Sequence, residues 1–63
     1  MERHWLRQAR EEKKLSQEQV ADILGLNRAT YCRYERGERT PSPAIAGDIG
    51  QLMNVPKEKF FWP

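Results

Sequence analysis

Between residues 28 and 39 the sequence sets four arginines, Arg28, Arg33, Arg36 and Arg39, against two glutamates, Glu35 and Glu38. A guanidinium is a planar fork of donors. It matches a phosphate, and it matches the O6 and N7 acceptors of guanine, so this cluster has the chemistry of polyanion recognition. The spacing adds direction. On a helix, Arg28, Ala29, Cys32, Arg33 and Arg36 share one side, while Tyr31, Tyr34 and Glu35 share the other. The first side offers cations and small residues; the second offers rings to a core.

The flanking elements must hold that helix rigid. Helix-forming residues run from Glu2 to Lys14, with Trp5, Leu6 and Ala9 on one side. Ser16 followed by Gln19 has capping-box spacing, so a second helix is expected from Gln17 to Leu24, with Val20, Ala21 and Leu24 inward. Gly25 suits a tight exit, Leu26 plugs the turn, and Asn27 caps a third helix from Arg28 to Glu35 or Arg36. Gly37 ends it, and Pro41 and Pro43 keep residues 38 to 43 a loop. Ser42 and Pro43 start a fourth helix whose stripe is Ile45, Ile49, Leu52 and Met53. Asn54 ends that helix, and a short fifth helix is expected from near Pro56, carrying Phe60 and Phe61.

Composition narrows the function classes. The chain has 63 residues, 32% of them charged, and a net charge of +2. That length predicts one domain over residues 1–63, with too small a core to enclose a substrate pocket as well. The single cysteine, Cys32, permits no internal disulfide, which fits a reducing cytoplasm. Cys32 and His4 are too far apart in sequence for a zinc site. No apolar run approaches the roughly 20 residues of a membrane span, and residues 1–5 lack a secretory apolar stretch. No nucleophile–base pair or phosphate-cradling glycine loop is visible, so neither an enzyme nor a cofactor or small-molecule ligand is expected.

Two helices joined by a short turn containing glycine form a helix-turn-helix, here at about residues 17–36. The stretch Leu15-Ser-Gln-Glu-Gln-Val-Ala, the segment Tyr34-Glu-Arg-Gly with Pro41-Ser42, and Val55 through Phe61 together resemble the Cro/repressor-type, XRE-like helix-turn-helix family. The resemblance runs from about Leu6 to Phe61. It implies an all-α, five-helix, lambda-repressor-like DNA-binding domain. It also implies that Gln17 anchors a phosphate, that Arg10 and Glu35 form a buried pair, and that Arg28, Ala29 and Arg33 meet base edges. Tyr31 stands where that family usually has a branched aliphatic residue, and Gly47 where it has a larger one.

The expected chemistry is then concrete. Arg28, at the helix end that enters the major groove, pairs with a guanine; Ala29 meets a thymine methyl; Arg33, one turn on, reads a base or holds a phosphate, and Cys32 completes the expected base-facing set. Ser16, Gln17 and Asn27 sit at helix N-termini, where free amides favour phosphate oxygens. Thr30, Arg36 and Arg39 complete the expected phosphate contacts. One helix reads only a few base pairs, so a homodimer on a pseudo-palindromic operator is expected, with Phe60, Phe61 and Trp62 in its interface. The leading expectation is a repressor. The alternative is an antitoxin-like or controller protein acting mainly through protein contacts.

Overall fold

Each helix begins and ends where local side-chain chemistry allows it. The computed structural model describes residues 1–62. It contains α1 (His4–Glu12), α2 (Gln17–Leu24), α3 (Arg28–Arg36) and α4 (Pro43–Met53), followed by a 3-10 turn over Lys57–Phe60. The Ser16 hydroxyl accepts the Gln19 amide at 3.0 Å, and the Gln19 side chain accepts the Ser16 amide at 2.8 Å, completing the capping box. Asn27 caps α3 through the Ala29 amide, and Ser42 caps α4 through the Ile45 amide, with Pro43 at the first helical position. Gly25 leaves α2 at φ +69°, and the Leu26 amide closes back on the Ala21 carbonyl at 2.8 Å. That closure fixes the turn between α2 and α3.

Among the described residues the fold is all-helical, with four α-helices and a 3-10 turn in place of the expected fifth. The last element is a single 3-10 turn over Lys57–Phe60, reached after the chain leaves α4 through Asn54 in the left-handed region. The first helix is also shorter than its composition predicts. It starts at His4 and stops at Glu12, because Lys14 adopts φ +59° and reverses the chain. A lysine there carries a Cβ penalty that glycine lacks. Lys14→Gly is therefore expected to stabilise the fold by about 0.5–1 kcal/mol, read as a rise of several degrees in thermal unfolding followed by circular dichroism. An unchanged or lower midpoint would contradict this.

The helices enclose Leu6, Val20, Ala21, Tyr31, Tyr34, Ala46, Ile49, Met53 and Phe60. α3 packs on α2 and α1, while α4 packs on α1 and the 3-10 turn. Leu24, Ile45 and Leu52 are only half-buried at the margin. Tyr31, the ring in an unusual place, is fully buried and fills the centre. Phe60 belongs to this core. It meets Trp5 edge-to-face with centroids 5.0 Å apart, so Phe61 and Trp62 are the exposed members of the aromatic triplet.

Candidate nucleic-acid interface

Tyr31, Tyr34 and Glu35 are buried, which fixes the rotation of α3 and turns its opposite side out. Arg28, Ala29, Arg33 and Arg36 are exposed, and Cys32 and Thr30 are half-buried at the edge. Arg28, Ala29, Cys32, Arg33 and Arg36 line one open groove of about 380 Å³, with Gln17 of α2 as its far wall. The structure thus brings together every residue expected to read bases. Ser16 and Asn27, at the starts of α2 and α3, are exposed, with their side-chain oxygens committed to their own helix amides. Arg39 is exposed in the loop after α3.

Gln17 does more than start a helix. Its Nε2 donates to Glu35 Oε1 at 3.1 Å, and its Oε1 accepts the Cys32 thiol at 3.1 Å. The side chain is therefore held in place, with its second amide proton left over for another acceptor. Behind it lies the ion pair of α1 and α3: Arg10 Nε donates to Glu35 Oε2 at 2.6 Å and Nη2 to Oε1 at 3.3 Å. Arg10 Nη1 also donates to the Leu15 carbonyl at 2.8 Å, tying the entrance of α2 to the same pair. Burial pushes the Glu35 carboxyl up, but the hydrogen bonds that it accepts from Arg10 and Gln17, with the Arg10 charge beside it, outweigh that and hold it below the ordinary glutamate value. Burial, reinforced by the neighbouring carboxylate, pushes the Tyr31 phenol well above its ordinary value. That hydroxyl is buried without a partner in hydrogen-bonding geometry.

The same C-terminal end of α3 is also held by a residue that sequence spacing does not reveal. Arg3 donates Nη1 to the Tyr34 carbonyl at 2.6 Å and to the Arg39 carbonyl at 2.9 Å, and Nη2 to Thr40 Oγ1 at 3.0 Å. Its backbone amide bonds the Glu35 carbonyl at 2.7 Å. A cation at a helix C-terminus complements the helix dipole and satisfies carbonyls that lack partners. Arg7 and Glu2 likewise carry no local signal in the sequence. They border a second groove that continues the first past Gln17 and Arg36.

A helix fixed at its start by the α2–α3 turn and at its end by Arg3 and Arg10, with one arginine-bearing side turned out, is the arrangement to compare with known proteins. The family model for Helix-turn-helix matches residues 6–60. The chain belongs to the Cro/C1-type helix-turn-helix family. Among its relatives, the uncharacterized HTH-type transcriptional regulator YqaF of Bacillus subtilis is 38% identical over 61 residues, covering 97% of this chain and 80% of YqaF. YqaE of the same organism, also an uncharacterized HTH-type transcriptional regulator, is 38% identical over 50 residues, 79% of this chain and 43% of YqaE. The cryptic phage CTXphi transcriptional repressor RstR of Vibrio cholerae is 33% identical over 51 residues, 81% of this chain and 46% of RstR. No solved structure matches the chain at a significant level. This helix-turn-helix protein therefore falls in a DNA-binding, transcription-regulating family. No helix among the described residues is long and apolar enough to cross a membrane.

Proposed function

We propose that this helix-turn-helix protein is a sequence-specific double-stranded DNA-binding regulator, acting in the cytoplasm as a repressor, with α3 in the major groove. The observation that carries the reading is the sidedness of α3. Its rings and carboxylate are buried while Arg28, Ala29, Arg33 and Arg36 line one open groove. Arg28 and Arg33 read bases, Ala29 and Cys32 give small apolar contact, and Ser16, Gln17, Asn27, Thr30, Arg36 and Arg39 hold phosphates. Residues 1–63 act as one such reading unit. A relative named as a transcriptional repressor supports repression over activation.

Reading half-sites about 34–36 Å apart calls for two copies. Phe61 and Trp62, 50% and 58% exposed, are the apolar surface that supports a homodimer on a pseudo-palindromic operator, with Phe60 beneath them. The same exposed rings favour a second reading, an antitoxin-like or controller protein that docks on another chain.

Selection of bound sequences from random duplex DNA tests the proposal. The wild type is expected to enrich a two-fold symmetric site. Arg28→Ala relaxes the preference at one symmetric position, at roughly 1–3 kcal/mol per half-site. Arg36→Ala weakens all sequences alike and lowers the salt slope by about one per copy. No enrichment, with no duplex affinity even at low salt, would discard the regulator reading in favour of the docking protein.

A further inference from the structure

The chain's eleven lysines and arginines all lie outside α2 and α4. Cations that meet the start of α2 must therefore come from α1 and α3. They do so in the second groove, an open space of about 260 Å³ lined by Glu2, Arg7, Arg10, Gln17, Glu35 and Arg36. Gln17 and Arg36 also line the arginine groove, so the two spaces share those walls. The charges around the second groove do not cancel. Arg10 and Glu35 neutralise one another as a pair. That leaves Arg7 and Arg36 against Glu2, and all three are exposed. Arg7 Nε donates to Glu11 at 3.3 Å, but both side chains are more than half exposed and solvent screens the pair. Both Nη groups of Arg7, the guanidinium of Arg36 and one Nε2 proton of Gln17 make no hydrogen bond among the described residues. Three helices thus turn free donors toward one polar space, which suits the oxygens of a phosphate.

We propose, resting on the DNA reading, that this groove seats a backbone phosphate of the bound duplex, with Arg7 as its contact on α1. The interface then extends from α2 and α3 to the first helix. Arg7 and Arg36 supply the charge. Gln17, held by Glu35 and Cys32, supplies a donor fixed in place. Glu2 works against the phosphate and keeps the attraction moderate. A phosphate contact sets register without reading sequence, so Arg7 adds affinity and leaves base preference alone.

The test uses the full chain and the duplex recovered by selection. Arg7→Gln is expected to weaken binding about two- to fivefold per copy, to lower the salt slope by about one per copy, and to leave base preferences unchanged. Glu11→Gln breaks the same ion pair but keeps the cation, so affinity should hold or rise. Glu2→Gln should raise it. Lys57 is exposed and lines neither groove, so Lys57→Gln makes the same change in net charge and should cost less than Arg7→Gln. A neutral methylphosphonate, moved along the duplex one position at a time, should find one phosphate per half-site whose loss weakens the wild type but not Arg7→Gln. The substituted residues are exposed, and circular dichroism checks that each variant folds. Wild-type affinity in Arg7→Gln, with a loss in Arg36→Ala, would overturn the proposal and leave the DNA reading standing. An equal loss from Lys57→Gln or Glu11→Gln would overturn it too. Saturable binding of inorganic phosphate to the free chain at constant ionic strength, lost in Arg7→Gln, would make the groove a free-anion site instead. A wild type with no duplex affinity removes the reading and the proposal together.

Discussion

Glu35→Ala is expected to remove about 3–5 kcal/mol of stability, measured by urea unfolding. A chain of 63 residues has only about 3–9 kcal/mol in total, so the variant sits near the edge of unfolding. The cause is what the carboxylate leaves behind. The Arg10 guanidinium, 11% exposed, loses both of its contacts to Glu35 and becomes a nearly buried charge without its counter-ion. The Gln17 amide loses its acceptor as well. Replacing both partners, Arg10→Met with Glu35→Leu, is expected to recover most of the loss, because no charge is then stranded. If the double variant is as unstable as the single one, the pair is not the origin of the effect. The pH dependence follows from the direction of the shift. A carboxyl held below its ordinary value contributes stability that is complete above about pH 4.3 and is lost as the pH falls through the depressed value. Glu35→Gln should flatten that acid limb.

Gly47→Ala and Gly50→Ala should move stability in opposite directions, although the two glycines are three residues apart on one helix. A Cβ on Gly47 meets only the Lys57 side chain, 3.8 Å away, an ordinary contact. Alanine there recovers helix propensity and should add up to about 1 kcal/mol. A Cβ on Gly50 would stand 2.6 Å from the Val55 carbonyl oxygen and 3.3 Å from the Lys57 amide nitrogen. Backbone cannot give way as a side chain can, so the returning chain must shift. The expected loss is roughly 1–3 kcal/mol, which lowers the thermal midpoint by several degrees. Equal shifts for the two variants would show that the segment after Asn54 does not hold its place over Gly50.

Much of this was written locally in the chain. Ser16 with Gln19, Asn27, and Ser42 with Pro43 each announce a helix start, and Gly25 and Gly37 each announce an exit, because caps act within a few residues. The outward side of α3 was equally legible, since i, i+3 and i+4 spacing separates Tyr31, Tyr34 and Glu35 from the arginines. Features depending on distant partners were not. Arg3 reaches residues 31 to 37 positions away, and no local pattern marks it. Lys14 does what glycine usually does, so no residue type marks the reversal and the composition alone implies a longer α1. Three consecutive aromatics carry no periodicity, and it takes the tertiary packing, burial of Phe60 against Trp5, to assign it to the core. The thiol of Cys32 on Gln17 needed the α2–α3 crossing geometry before it could be seen.

The absence of any cation from α2 and α4 has a consequence for kinetics. Eleven cations and six acids lie on the remaining segments, so the charge is divided unevenly between the elements although the net charge is small. Under the proposed DNA reading, the field of a polyanionic rod exerts a torque on such a molecule before contact and favours approach with the arginine groove of α3 forward. Productive collisions then form a larger fraction of all collisions than the small net charge suggests. Added salt shortens the range of that alignment and slows capture.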